Sequence, residues 1–246
     1  MKTCLITGAS GGVASALAAN LREAGWKLAL VTRNADKIDA SSKDKIIDAD
    51  VSSEAGAELA LQEATAFFDA IPDAVVNCAG AILIAPIART TETQYRACLS
   101  ANLDTAFFIG KAYATVLQKN KQGGSLVLFS SVAAAMGVGN HAAIAIAKGG
   151  IEALVRSLAA DFSNIGLRVN AIAPGLMQTP ATERMVSNEA AAKQIAAQYP
   201  LGRYGQASDA ANLAAFLISD QATWISGQII SVDGGFSAVR PYVKST

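Results

Sequence analysis

The chain has 246 residues, of which 52% are hydrophobic and 16% are charged, and its formal net charge is zero. This length and composition predict one large core and a single domain over residues 1–246. A neutral chain has no bulk basic charge to attract nucleic acid or an anionic membrane, so we expect small molecules and other subunits as partners.

The cysteines and the first residues favour a reducing compartment. Cys4, Cys78 and Cys98 have no spacing typical of a zinc site, and their odd number argues against a disulfide framework. A strand-like segment begins at Leu5, which leaves no room for a signal peptide, and the longest apolar stretch, 74–88, is too short to cross a bilayer. We therefore expect a cytoplasmic protein without a bound metal.

Short apolar segments alternate along the chain with longer segments of helical period. Strands are predicted at 5–7, 28–32, 46–49, 74–77, 126–130, 169–173 and 229–232, and helices begin near Gly12, Ser53, Thr91, Ala142 and Ser208, with another after Thr179. Continuously apolar strands are typical of a parallel sheet covered on both faces. The expected fold is α/β, a doubly wound Rossmann-type domain with a seven-stranded parallel sheet and helices on both faces.

A glycine-rich turn follows the first predicted strand and opens the first predicted helix. Glycines let the backbone approach a pyrophosphate, and the amide groups at a helix N-terminus carry partial positive charge. Such a turn alone can be only a tight connection, but its place after the first strand favours a dinucleotide site. The candidate contacts in this turn are Gly8, Ser10, Gly12 and Val13.

Arg33 follows the second predicted strand. Dinucleotide-binding folds place there either an acid for the ribose hydroxyls of NAD or a basic group for the 2′-phosphate of NADP. The strand ends at Thr32 without a carboxylate, and the planar guanidinium suits a phosphate. The alternative is a solvated surface arginine. The sequence favours NADP(H) over NAD(H).

Ser131 lies thirteen residues before Ile144, and Ile144 lies four residues before Lys148. Together with the Thr-Gly-three residues-Gly turn, this pattern resembles the classical short-chain dehydrogenase/reductases, including the 3-oxoacyl-carrier-protein reductases. The resemblance covers nearly the whole chain. In that family the position of Ile144 holds a tyrosine that transfers a proton as hydride moves, and isoleucine can neither donate nor accept one.

The resemblance implies roles for other residues as well. Asn102 would hold a water molecule in a proton relay, Ser131 would bind the substrate oxygen, and Lys148 would hold the nicotinamide ribose. Alone, these three would be an ordinary helix asparagine, a helix cap and a surface cation. Further cofactor contacts would be Asp50 and Val51 beside the adenine, Asn77, Ala79 and Gly80 after the fourth strand, and Pro174, Gly175 and Thr179 near the nicotinamide.

His141 is the only histidine of the chain and lies seven residues before Lys148. Residues at spacings of three, four and seven share a helix face, so His141, Ile144 and Lys148 are expected to form a stripe. An imidazole titrates near neutral pH and can donate a proton, which makes His141 a candidate substitute acid. In the enoyl-reductase branch of the superfamily, the tyrosine also lies seven residues before the lysine. Alternatively, His141 precedes the helix and acts only as a cap or loop residue.

Several segments predict the surroundings of the site and the assembly. The apolar segments 81–84 and 132–138 predict a hydrophobic substrate, although core packing explains them equally well. Residues 176–200 are expected to form a substrate lid. Small and apolar residues on several faces of 91–120 and 142–165 predict a homo-oligomer, either a tetramer or a dimer.

Three functions are compatible with these features. The first is an NADP(H)-dependent oxidoreductase acting on a carbonyl, an alcohol or an activated double bond, with His141 or water as the proton source. The second is a catalytically inactive cofactor-binding protein with a regulatory or assembly role. The third is non-redox chemistry on the same scaffold, because a fold does not by itself imply a reaction.

Overall fold

The computed structural model describes residues 1–38, 41 and 43–240. Seven of its strands form one parallel sheet, and two short strands form a separate pair. The strands are β1 (Thr3–Thr7), β2 (Lys27–Thr32), β3 (Lys45–Asp48), β4 (Ala74–Asn77), β5 (Gly124–Phe129), β6 (Leu167–Pro174), β7 (Met177–Gln178), β8 (Gly205–Gln206) and β9 (Ile229–Val232). This arrangement confirms the predicted seven-stranded parallel sheet.

Helices connect the strands and cover the sheet. They are α1 (Gly12–Glu23), α2 (Glu54–Phe68), α3 (Glu92–Leu99), α4 (Thr105–Asn120), α5 (Ala142–Phe162), α6 (Glu189–Ala196) and α7 (Ala207–Ile218). A π-helical turn, Ser100–Asp104, joins α3 to α4. The helical segment expected over 91–120 is therefore two helices with an irregular turn between them.

The strand order is β3-β2-β1-β4-β5-β6-β9, so the chain changes direction between β1 and β4. Alternate strand residues supply two core layers. Leu5 lies in the layer that includes residues of α2, α4 and α5, whereas Cys4 and Ile6 lie in the layer that includes residues of α1 and α7. The central strands β1, β4, β5 and β6 are buried on both faces and are therefore mostly apolar, which explains why the sequence revealed them.

The short pair of β7 and β8 was not predicted. Strands of two residues are too short to show a periodic pattern. The pair joins Met177 to Gly205 and Gln178 to Gln206, and it brings together the two ends of the segment between them. This segment includes most of the predicted lid.

The described residues also bear on the expected membrane and metal properties. No helix among them is long and apolar enough to cross a membrane. Within the same residues, no group of three or more histidine, cysteine or acidic side chains is arranged to hold a metal ion. Cys4, Cys78 and Cys98 are free thiols.

Candidate active site

The site lies where β1 and β4 end, at the point where the strand order reverses. In doubly wound sheets, ligands bind outside the carboxyl ends of the strands at this switch point. The hydroxyl of Thr7 donates to the side-chain oxygen of Asn77, which links the two strand ends. Gly8 has a φ of +63°, and a Cβ there would lie 2.6 Å from the Cα of Ala79. Only glycine fits this turn, and its absent side chain leaves the backbone open to a ligand.

The first turn of α1 is suited to an anion. Gly11 caps this helix without any side-chain hydrogen bond, whereas Ser53 caps α2 and Thr91 caps α3 through their hydroxyl groups. The first amide groups of a helix have no partner within the helix, so those of α1 are available to a phosphate. The glycine turn therefore fits the pyrophosphate of a dinucleotide.

Within this turn, Gly12 packs closely against the segment after β6. A Cβ on Gly12 would lie 3.0 Å from the Cβ of Thr179. Ser10 is exposed and Val13 is half-buried. The structure thus brings Thr179, a predicted nicotinamide contact, against the glycine turn.

Arg33 and Asp50 follow neighbouring strands and lie side by side. Arg33 Nη1 is 3.7 Å from Asp50 Oδ2, and 74% of the arginine side chain is exposed. Hydrogen bonds from Ser52, together with the nearby Arg33 charge, lower the pKa of the Asp50 carboxyl. Thr32 Oγ1 accepts a hydrogen bond from the amide of Asn34. The guanidinium is therefore accessible at the expected adenosine end. Val51, the residue after Asp50, is buried.

Asn102, Gly80 and Lys148 meet below the end of β4. Asn102 is buried in the π-helical turn, and its Nδ2 donates to the carbonyl oxygens of Ala81 at 2.9 Å and Cys98 at 3.0 Å. A Cβ on Gly80 would lie 2.8 Å from Asn102 Oδ1 and 3.7 Å from Lys148 Nζ. Three elements distant in sequence therefore converge at this point.

Lys148 is a buried cation of α5. Its Nζ donates a hydrogen bond of 2.8 Å to the carbonyl oxygen of Phe129, the last residue of β5. Burial lowers the pKa of Lys148 to about 8. An ammonium group carries three protons, so two remain for other acceptors after the bond to Phe129.

Ser131 lies two residues after the end of β5, close in sequence to the Phe129 carbonyl that binds Lys148. It caps the short turn Val132–Ala134, where its Oγ accepts a hydrogen bond of 3.2 Å from the amide of Ala133. Accepting this bond leaves the hydroxyl proton free to donate. Ser131 can therefore cap the turn and bind a substrate oxygen at the same time.

Ile144 is buried in a small apolar cluster. This cluster consists of Cys98, Ala143 and Ile144, with the half-buried Leu83 and Tyr95 packed against it. Burial also raises the pKa of the Cys98 thiol. Ile144, which the sequence resemblance placed at the expected tyrosine position, is thus part of a hydrophobic contact between α3 and α5.

His141 lies outside the helix that carries Lys148. It is the residue before α5, with φ −109° and ψ 14°, and it makes no side-chain capping bond. The predicted stripe is therefore wrong in one respect, because only Ile144 and Lys148 are helical. His141 Nδ1 lies 2.6 Å from the carbonyl oxygen of Gly139. In the neutral ring this contact fixes the proton on Nδ1 and leaves Nε2 as an acceptor.

An open cleft of about 460 Å³ runs beside His141. Its walls include Ile87, Met136, Val138 and Ala133. The lining includes neither Ser131 nor Lys148. His141 thus faces the rim of the site rather than its centre.

The segment after β6 is fixed by a residue that the sequence did not single out. Tyr199 Oη accepts a hydrogen bond of 2.7 Å from the amide of Leu176. A Cβ on Gly175, which follows Pro174, would lie 2.9 Å from the Tyr199 ring. Tyr199 thus supports the start of the predicted lid, and no short motif marks this long-range contact in the sequence.

Comparison with known proteins identifies the family. Residues 8–237 match the family model described as enoyl-(acyl carrier protein) reductase. The chain is 33% identical to a probable 2,4-dienoyl-CoA reductase of Bacillus subtilis, covering 98% of each chain. It is also 33% identical to the 3-oxoacyl-(acyl-carrier-protein) reductase FabG of Escherichia coli, covering 97% of this chain and 98% of that one.

Solved structures agree with these relatives. A 4-hydroxyisoleucine dehydrogenase complexed with NADH has a TM-score of 0.90 and 26% identity, over 98% of this chain and 100% of that one. The chain belongs to the short-chain dehydrogenase/reductase family of oxidoreductases, which act on carbonyl and alcohol groups with a nicotinamide dinucleotide.

Proposed function

We propose that this protein is an NADP(H)-dependent oxidoreductase for a carbonyl, an alcohol or an activated double bond of a small apolar substrate. The carrying observation is the convergence of Gly80, Asn102 and Lys148 beside the open glycine turn. In this proposal, these residues form the side of the site that contacts the cofactor. Ile144 removes the usual proton donor, so the proton must come from His141 or water.

Lys148 and Arg33 would hold the two ends of the cofactor. When bound, the dinucleotide supplies or accepts the hydride at its nicotinamide. Lys148 has two protons available for the ribose hydroxyls after its bond to Phe129. The exposed Arg33 would bind the 2′-phosphate in the two-pronged manner typical of arginine, which favours NADP(H). The remaining contacts would come from the glycine turn and from Asp50, Val51, Asn77, Ala79, Gly80, Pro174, Gly175 and Thr179.

The substrate would enter over an apolar surface. Ile82, Ile84 and Ile87 are large hydrophobic side chains that are exposed on the loop after β4. Met136 and Val138, together with Ile87, line the cleft beside His141. Such a lining favours an apolar substrate, with Ser131 donating to its reacting oxygen. Residues 176–200 would close over it as a lid.

In this proposal, the proton that the substrate takes up comes from the rim of the site, where His141 lies. In the direction of reduction, hydride adds to the substrate carbon, and the oxygen, or the neighbouring carbon of an activated double bond, takes up one proton. A protonated His141 can deliver that proton from Nε2, because Nδ1 is held by Gly139. Water is the alternative donor, and Ile144 serves only as a wall.

NADPH oxidation across a panel of ketones, aldehydes and enones tests this function. Turnover that is lost in Lys148→Met, with NADPH binding weakened, would support it. A matched control is Lys119→Met, which removes an exposed lysine from α4. Absence of NADPH binding by the natural chain would overturn the proposal.

A catalytically inactive cofactor-binding protein is the second candidate. The observation in its favour is the burial of Ile144 among Cys98, Leu83 and Tyr95, which places hydrophobic side chains where the family has its acid. Tight NADPH binding without turnover of any panel substrate would favour this function. A regulatory or assembly role would then be sought through a partner protein.

A further inference from the structure

Glu152 lies four residues after Lys148 on α5. Side chains at this spacing are neighbours on a helix surface, and oppositely charged ones commonly pair. In the described part of the chain, however, no ion pair joins them. Glu152 Oε1 instead accepts a hydrogen bond of 2.8 Å from Ser130 Oγ, and Lys148 Nζ donates to Phe129.

Ser130 is held rigidly at the end of β5. Its amide donates a hydrogen bond of 2.7 Å to the carbonyl oxygen of Ile172 in β6. Its hydroxyl is buried and lies 3.4 Å from the carbonyl oxygen of Lys148. The backbone contact with β6 fixes the hydroxyl in front of α5, where it meets the Glu152 carboxylate.

We propose that Ser130 is a positioning residue that holds the Glu152 carboxylate away from Lys148 and so keeps the Lys148 ammonium group free for a bound dinucleotide. The dinucleotide part of this inference rests on the proposed function. Without the Ser130 hydroxyl, the half-buried carboxylate would lack this donor, and pairing with Lys148 would become its favoured alternative.

The charged groups around Lys148 determine whether a move of Glu152 toward it would change the pKa of Lys148 measurably. Cys78 after β4 and Cys98 on α3 are titratable groups of other elements close enough to act electrostatically on Lys148, and burial raises the pKa of both thiols, which keeps them neutral. Glu152 is the carboxylate within helical reach on α5 itself. Because the two thiols are neutral, a new contact with Glu152 would raise the pKa of Lys148 without competition from a thiolate at Cys78 or Cys98.

The experiment follows the Lys148 charge directly. The protein is labelled with ¹³Cε-lysine, the Lys148 signal is assigned by its loss in Lys148→Arg, and its pH midpoint is measured by NMR. In Ser130→Ala the midpoint should rise by about one unit, as expected for an opposite charge brought close. NADPH affinity should fall about tenfold, as expected when a charged hydrogen bond is lost.

A double variant separates this role from mere structural support. Glu152→Gln alone should leave both readouts unchanged, and Ser130→Ala with Glu152→Gln should restore both, because an amide forms no ion pair. An unchanged midpoint in Ser130→Ala, or a double variant that stays impaired, would overturn the inference. If the natural chain does not bind NADPH, the proposed function fails, and the midpoint alone still decides whether Ser130 separates Glu152 from Lys148.

Discussion

Lys148 Nζ is joined to the carbonyl oxygen of Phe129 by a hydrogen bond of 2.8 Å. The bond fastens α5 to the end of β5, two residues before Ser131. Two candidate site residues are therefore held relative to each other by the protein itself. A site with this degree of internal support is organised before its ligands arrive.

The cofactor affinity should depend on pH through Lys148. Burial lowers the pKa of Lys148 to about 8, so its ammonium form is present below this pH and is lost above it. In the proposed function the charged form donates the bonds to the ribose, so NADPH affinity should fall as pH rises through about 8. Calorimetric titration on both sides of this value measures the change. Lys148→Arg, which stays charged, should remove the fall, and an unchanged pH dependence in that variant would contradict the assignment.

Arg33→Ala should weaken NADPH binding roughly tenfold or more, since a charge-assisted contact with a phosphate would be lost. NADH has no 2′-phosphate, so its affinity should be nearly unchanged. Titration of both cofactors gives the comparison. Arg96→Ala is a matched control, because Arg96 is also exposed and lies 3.6 Å from an acid, Glu92. Equal losses in the two variants would argue against a phosphate contact at Arg33.

Ile144→Tyr should create or increase carbonyl reduction. The hydroxyl would stand beside a lysine able to lower its pKa, and general acid catalysis contributes roughly a hundredfold or more. The larger ring must displace the cluster of Leu83 and Tyr95, so we expect a lower melting temperature, consistent with an overpacking cost of about 1–3 kcal/mol. Ile144→Phe controls for size, because it lacks only the hydroxyl. The same activity in both variants would show that the hydroxyl is irrelevant.

His141→Gln should remove any activity that depends on an imidazole proton. Glutamine can still form hydrogen bonds at this position, but it cannot exchange a proton at neutral pH. The limb of the pH–rate profile due to the imidazole should disappear together with most of the turnover. Stopped-flow measurement of NADPH oxidation gives both quantities. Full activity in the variant would leave water as the donor.

The protein should assemble into a homo-oligomer, with a tetramer as the expected state. Phe107 on α4 and Ile146 on α5 are 47% and 53% exposed, which is unfavourable for side chains of this size in an isolated chain. Light scattering should show the oligomer, and Phe107→Glu with Ile146→Glu should reduce its mass. Leu59→Glu on α2, where the leucine is 42% exposed, provides the control. A stable monomer of the natural chain would contradict this prediction.

The sequence by itself determined the sheet and the glycine turn. Strand β4 was predicted with its observed bounds, because its residues are buried on both faces and residues in that environment are mostly apolar. The turn at Gly8 was equally evident, since a positive φ and a close approach to Ala79 both require glycine. These are local consequences of burial and backbone geometry, and each leaves a pattern in consecutive residues.

Only the tertiary structure decided how the site is arranged. A spacing of seven residues suggested that His141 shares a helix face with Lys148, but the helix begins at Ala142, after the histidine. No sequence pattern indicates that Gly80 lies against Asn102, or that Ser130 donates a hydrogen bond to Glu152. Such contacts join residues that are distant in the chain, and they depend on how whole elements pack, which residue spacing does not record.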